Sequence, residues 1–185
     1  NIQPENLNDV ALAFALYRPG PMNNIDLFLE LRNHPEKITY PHPDLKPVLE
    51  ETSGVMIYQE QTMSVSRIMA GLSPSEADTL RRAISKKKTD QISSLRTRFI
   101  EGAMSRHYSR LVAQETFDLI EKFASYGFNK SHSVVYALVA YQMAYLKAYY
   151  PLAFYRALLN NSLGKTDTTQ RYIKGLKKLN TSSRI

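Results

Sequence analysis

At 185 residues, with 43% hydrophobic and 22% charged side chains, the chain has enough apolar material for a core of its own. It has no cysteine, which excludes disulfides, thiolate metal sites and cysteine nucleophiles and fits a reducing, cytoplasmic setting. The net charge of +7 is concentrated: residues 81–110 carry nine basic side chains against Asp90 and Glu101, while the other 15 basic and 15 acidic residues cancel. Such a field favours a polyanion, although a solvated helix face accounts for the charge equally well. The longest apolar stretch, Val134 to Tyr150, is interrupted by Gln142 and Lys147 and is rich in tyrosine, unlike a bilayer span, so no membrane role is expected. The chain opens on Asn1-Ile2-Gln3-Pro4 without an initiator methionine, which reads as a piece of a longer polypeptide.

Apolar residues recur three and four apart almost throughout, predicting a mainly α, irregular helical domain. Asn6 is a natural N-cap for a helix through Tyr17, stopped at Arg18-Pro19-Gly20-Pro21 because a residue before proline is pushed out of the α region. A second helix is expected from Asn24 to Asn33, a proline-punctuated loop from Pro35 to Pro47, and at most a short strand near Val55 to Tyr58. Helix resumes near Glu60. Ser73-Pro74-Ser75-Glu76 is a capping box with proline at the first helical position, starting a helix to about Ile84. The basic segment after Ser85 is expected to continue as helix to Arg106, followed by helices over Ser109 to Ser125, His132 to Tyr149, the last of these amphipathic to buried, and Pro151 to Asn161. Gly164-Lys165-Thr166-Asp167 reads as a linker, and Thr168 to Leu179 as a last basic helix cut short at Ile185.

Four segments carry candidate chemistry. In Leu80 to Lys88, continued helix would place Arg81, Ser85 and Lys88 on one face and Arg82 and Lys86 on another, two basic stripes suited to phosphate. Tyr126-Gly127-Phe128-Asn129-Lys130-Ser131-His132-Ser133 puts a glycine turn before a long helix, where N–H groups and the helix dipole attract anions. It lacks the Walker spacing. Arg18 sits on a rigid turn, and Tyr58-Gln59-Glu60-Gln61 reads either as polar contacts or as a plain helix start. The late tyrosines, Tyr136 among them, could stack on bases, but core and rim is the commoner use of such residues. No zinc motif, nucleophile elbow or strand-flanked acidic pair is present, so no catalytic residue and no metal ligand is expected in this chain.

Read in order, ALYRPGPM, ITYPHPDLKPVLEETSGVMIYQEQTM, AGLSPSEADTLRRAISKKK and FASYGFNKSHSVVYALVAYQMAYLKAYYPLAF strongly resemble the alpha subunit of bacterial DNA polymerase III, a family C replicative polymerase, over about Asn8 to Leu159. The Tyr-Gln-Glu-Gln and Lys-Ser-His-Ser versions are more similar to the DnaE-type branch. The resemblance implies a fingers domain over residues 1–163 of a DNA-directed DNA polymerase, with 164–185 leading towards a helix-hairpin-helix region. It implies nucleotide or phosphate contact at Arg18, Arg81, Arg82, Lys86, Lys87 and Lys130, with Ser131, His132 and Tyr136 near the nascent pair. Lys88, Arg96, Arg98 and Arg106 are candidates for DNA. The implied partners are template-primer DNA, the incoming dNTP, the palm and, through regions not present here, the sliding clamp and other replisome subunits. The implied cofactor is Mg2+, bound by palm aspartates outside the chain, leaving the isolated piece inactive. A freestanding helical nucleic-acid-binding module and a helical interaction scaffold are the alternatives from other classes.

Overall fold

The computed structural model describes residues 2–124 and 126–182; the expected helix end at Ser125 and the last residues to Ile185 lie outside them. Ten α-helices follow one another among the described residues: α1 Leu7–Leu16, α2 Ile25–Asn33, α3 Lys46–Leu49, α4 Gln59–Ala70, α5 Pro74–Ser85, α6 Thr89–Ser105, α7 Arg110–Ala124, α8 Lys130–Tyr149, α9 Pro151–Asn161 and α10 Thr166–Ser182. Short 3₁₀ turns fill Pro21–Asn24, Pro35–Lys37, Pro43–Leu45 and Glu50–Thr52. No helix among the described residues is long and apolar enough to cross a membrane.

Local chemistry explains most boundaries. Asn6 Oδ1 accepts from the Asp9 N–H at 3.0 Å and opens α1. At α5 the capping box closes both ways: Glu76 N–H donates to Ser73 Oγ at 3.2 Å, and Ser73 N–H to Glu76 Oε2 at 2.7 Å. These bonds hold the Glu76 carboxyl below the usual carboxylate range. Pro151 begins α9, its missing N–H being one the first helical turn does not use.

Three expectations change. Residues Val55 to Tyr58 are extended but make only one isolated parallel bridge, Tyr58 to Phe128, and the described residues contain no strand. The side chain of Gln61 takes a sheet's place there, its Oε1 accepting from the Ile57 and Tyr58 N–H groups, both at 2.9 Å. The basic segment does not run on from α5. Lys86 caps that helix, Lys87 turns left-handed at φ 52° and α6 starts only at Thr89. Lys88 N–H reaches Ala83 O, and Lys87 N–H reaches Ile84 O, each at 3.0 Å. This paired C-terminal motif ends the helix even without glycine. Finally, residues 141–150, expected to lie on an increasingly buried helix, are all exposed. The segment is rich in tyrosine and interrupted by Gln142 and Lys147, side chains whose polar ends reach water.

Two compact units divide the chain, residues 1–136 and 137–185. In the first, Phe99, Phe117, Leu80, Val65 and Met69 join α4, α5, α6 and α7 in one core. A second cluster places Leu16 of α1 and Phe28 of α2 against Val55, Ile57 and Tyr58. Phe123 packs against both clusters, so the chain enters the 126–129 turn from a fixed direction. In the second unit α9 and α10 pack together, with Gly175 of α10 close against the Tyr155 ring.

Candidate nucleotide and nucleic-acid interface

The four segments singled out in the sequence meet around the turn Tyr126 to Asn129. Phe128 is held to the start of α4 by main-chain bonds, Gln59 N–H to Phe128 O at 2.9 Å and Phe128 N–H to Ile57 O at 3.0 Å. Gln59 Nε2 adds a bond to Gly127 O at 3.0 Å. From the α1 side, Arg18 donates through Nη2 to Tyr126 O and through Nε to Ala15 O at 3.1 Å, and its guanidinium lies 4.5 Å from the Phe128 ring centroid. Burial pushes this guanidinium down from its ordinary value. Gly20, at φ 95°, has the Tyr126 ring 2.6 Å from where a Cβ would stand, so this turn needs glycine for both its conformation and its close approach.

From the α5 side, Arg81 Nη1 donates to Gln59 Oε1 at 3.2 Å. One amide side chain therefore links Arg81 to the glycine turn. Arg81 also donates to Asp78 Oδ1 through Nε at 2.9 Å and Nη2 at 2.7 Å, and Arg82 Nη2 lies 2.7 Å from Asp78 Oδ2. The Arg81 hydrogen bonds, with the nearby Arg82 charge, hold the Asp78 carboxyl below its usual range.

At the start of α8, Asn129 is the cap, its Oδ1 accepting from His132 N–H at 2.7 Å. Glu60, the second residue of α4, lies over the same helix end and accepts from Lys130 N–H and from Asn129 Nδ2. The donors expected to receive an external anion are thus met here by a carboxylate of the chain itself. The Lys130 ammonium donates to Glu51 Oε2 at 2.6 Å and stands 5.7 Å from the Tyr58 ring centroid. His132 packs on Phe128 and Tyr136 at centroid distances of 5.5 and 4.4 Å, and Tyr136 meets the edge of Phe14 at 6.2 Å. Ser131 is exposed. Arg18, Phe128, His132 and Tyr136 therefore form one row of contacts in which the rings meet edge-on or tilted.

Of the two basic stripes expected, the one through Lys88 does not form. The turn at Lys87 carries Lys88 off the face of Arg81, while Lys86 still closes the last turn of α5 through its N–H to Arg82 O at 3.0 Å. Lys86, Lys87 and Lys88 are exposed and make no side-chain bond or ion pair among the described residues. Arg96, Arg98 and Arg106 of the window do have partners within the chain. Arg96 pairs with Asp118 and Glu121 of α7 and stacks on Phe117. Arg98 pairs with Glu76, and Arg106 donates to Ile68 O at 3.1 Å near the end of α4. Of the four candidates for DNA contact, Lys88 alone lacks such a partner among the described residues. Glu51 and Asp78 are residues that spacing does not single out, and Gln59 and Glu60 stand there only as polar contacts or a plain helix start. Their role rests on which elements lie next to each other, and only the Tyr-Gln-Glu-Gln run hinted at it.

Residues 1–107 match the family described as bacterial DNA polymerase III alpha subunit finger domain. Over 172 residues the chain is also 48% identical to the DNA polymerase III subunit alpha of Bacillus subtilis, covering 93% of this chain and 15% of that protein. The chain belongs to this family. The same subunit of Borreliella burgdorferi is 46% identical over 93% of the chain and 15% of its own length, and that of Aquifex aeolicus 46% identical over 85% and 14%. The chain thus spans about 15% of the length of the relatives it matches. Within this finger domain Arg18, Arg81, Arg82 and the lysines after them lie in the matched residues, whereas Lys130 to Tyr136 lie beyond residue 107.

Proposed function

We propose that the chain is the part of a replicative DNA polymerase that holds the triphosphate of the incoming dNTP and steadies the template-primer DNA, with the metal-binding palm elsewhere in the polypeptide. The observation that carries this reading is the meeting of Arg18, Arg81 and the Lys130 helix end on one glycine turn, linked through Gln59 and Glu60. In phosphoryl transfer the charge that develops on the phosphate oxygens is stabilised by preorganised donors. The guanidinium groups supply planar forks, Lys130 a point charge, and the adjoining His132 and Tyr136 rings a face for the nascent base pair. Lys86, Lys87 and Lys88, with no partner to displace among the described residues, suit phosphate contact that costs no ion pair.

The family implies Mg2+, but the residues here do not fit it. The acidic side chains nearest the turn already bind cations or main-chain donors, and among the described residues no three histidines or carboxylates gather as a metal site. Magnesium would be held by the palm, and the isolated chain would not extend a primer. In this reading residues 1–163 are fingers and 164–185 lead towards the helix-hairpin-helix region.

In the full-length polymerase, Arg82→Ala and Lys130→Ala should impair nucleotide use more than primer-template binding. Each lost charge-assisted phosphate contact is worth about 1.5 to 3 kcal/mol, about ten-fold to a hundred-fold. Steady-state incorporation kinetics beside DNA-binding isotherms check this, and unchanged nucleotide kinetics in both variants removes the assignment.

A further inference from the structure

We propose that Glu51 is an internal substitute for phosphate, a positioning residue that sets how readily Lys130 takes a polyphosphate. This rests on the nucleotide-binding reading above. Each of the phosphate-candidate cations Arg81, Arg82 and Lys130 is met by a carboxylate from the chain, whereas Lys86, Lys87 and Lys88 meet none among the described residues. Asp78 lies on the same helix as its two arginines, so its pairing follows from spacing of three and four residues. Glu51 differs: it comes from a separate 3₁₀ turn, 79 residues away in sequence.

That turn does not need the ion pair to hold its shape. The Thr52 hydroxyl, fully buried, bonds to Leu49 and Val55 main-chain oxygens and accepts from Gln61 Nε2 at 2.7 Å. The main chain therefore presents Glu51 to Lys130 whether or not the two are bonded. Both side chains of the pair are 40% exposed, where such a contact is weak and open to exchange. A cavity of about 190 Å3 beside it, lined in part by Asn8, Asp9, Tyr58 and Val134, is smaller than a nucleotide site but has room for a carboxylate turned aside. A triphosphate brings more charge than one carboxylate and displaces it. Singly charged anions gain nothing by the exchange, so Glu51 screens the lysine against them.

The test compares nucleotide kinetics of the full-length polymerase carrying Glu51→Gln, Glu51→Asp and Lys130→Ala. E51Q should lower KM for dNTP about two-fold to five-fold, the range of a partly exposed ion pair, with kcat unchanged, while E51D restores the wild-type KM. K130A should raise KM. If K130A raises KM and E51Q leaves it unchanged or raises it, the proposal fails alone; if neither variant moves KM, the nucleotide reading fails with it. A purely structural Glu51 would lower the melting temperature of E51Q without lowering KM. Should E51Q melt early, Glu51→Ser supplies the same comparison.

Discussion

Glu60 accepts hydrogen bonds from the backbone N–H of Lys130 at 3.0 and 3.1 Å, so the second residue of α4 covers the first turn of α8. Two residues 70 positions apart thereby fix where the long helix begins. Glu60→Ala should leave that N–H and Asn129 Nδ2 without their partner. The cost expected is about 0.5 to 2 kcal/mol of stability, combining a charge-assisted bond with the lost interaction at a helix N-terminus. Amide hydrogen exchange reads it most directly: Lys130 should exchange faster in the variant, while the core amides of α4 keep their protection.

Gln61 is the most fully used polar side chain of the fold. It accepts from Ile57 and Tyr58 and donates to Val48 O at 3.0 Å and Thr52 Oγ1 at 2.7 Å, while itself 3% exposed. Gln61→Leu keeps the volume and leaves these groups unpaired, which should cost about 2 to 4 kcal/mol. Urea unfolding measures it, and a loss under 1 kcal/mol would show that the 55–58 segment finds other partners.

Gly102 on α6 faces the end of α4 so closely that a Cβ would stand 2.2 Å from Ala70 O. Gly102→Ala gains helix propensity but forces the two helices apart. A net destabilisation of about 1 to 3 kcal/mol is expected by thermal or urea unfolding, against the small gain alanine would give on an open helix face.

Tyr58 gives a pH signature. Burial pushes its hydroxyl up from 10.0 to about 12, with Glu51 and Glu60 adding to the rise and Ser133 opposing it. Above pH 10 the unfolded chain releases this proton while the folded chain keeps it. The contribution of the neutral phenol is therefore whole below pH 10 and is lost as pH rises through about 12. Urea midpoints should fall between about pH 10 and 12, and Tyr58→Phe should fall less steeply over the same range. Equal slopes in both proteins would place the titrating group elsewhere.

Much of this was legible in the residues because the signals were local. Asn6, Ser73 with Glu76, and Pro151 mark helix starts through bonds that span three residues or through a missing N–H, so sequence spacing is enough to find them. The four segments that resemble the polymerase family meet around the 126–129 turn. Lysine is a good helix former, so Lys86 to Lys88 read as continued helix, whereas the chain turns left-handed at Lys87 and α6 then packs against α4 and α5. The segment Val55 to Tyr58 has strand-like residues, but a strand needs a neighbour, and a glutamine side chain took that place.

The sequence by itself determined the helical class, most helix starts, the concentration of positive charge and membership in the polymerase family, since these depend on composition, short-range hydrogen bonding and residue order. The tertiary structure alone decided which cations are already partnered and by which acids. An ion pair such as Lys130 with Glu51 depends on two distant turns being brought within hydrogen-bond reach, and Coulomb attraction between partly exposed groups is too weak to announce itself in the order of the residues.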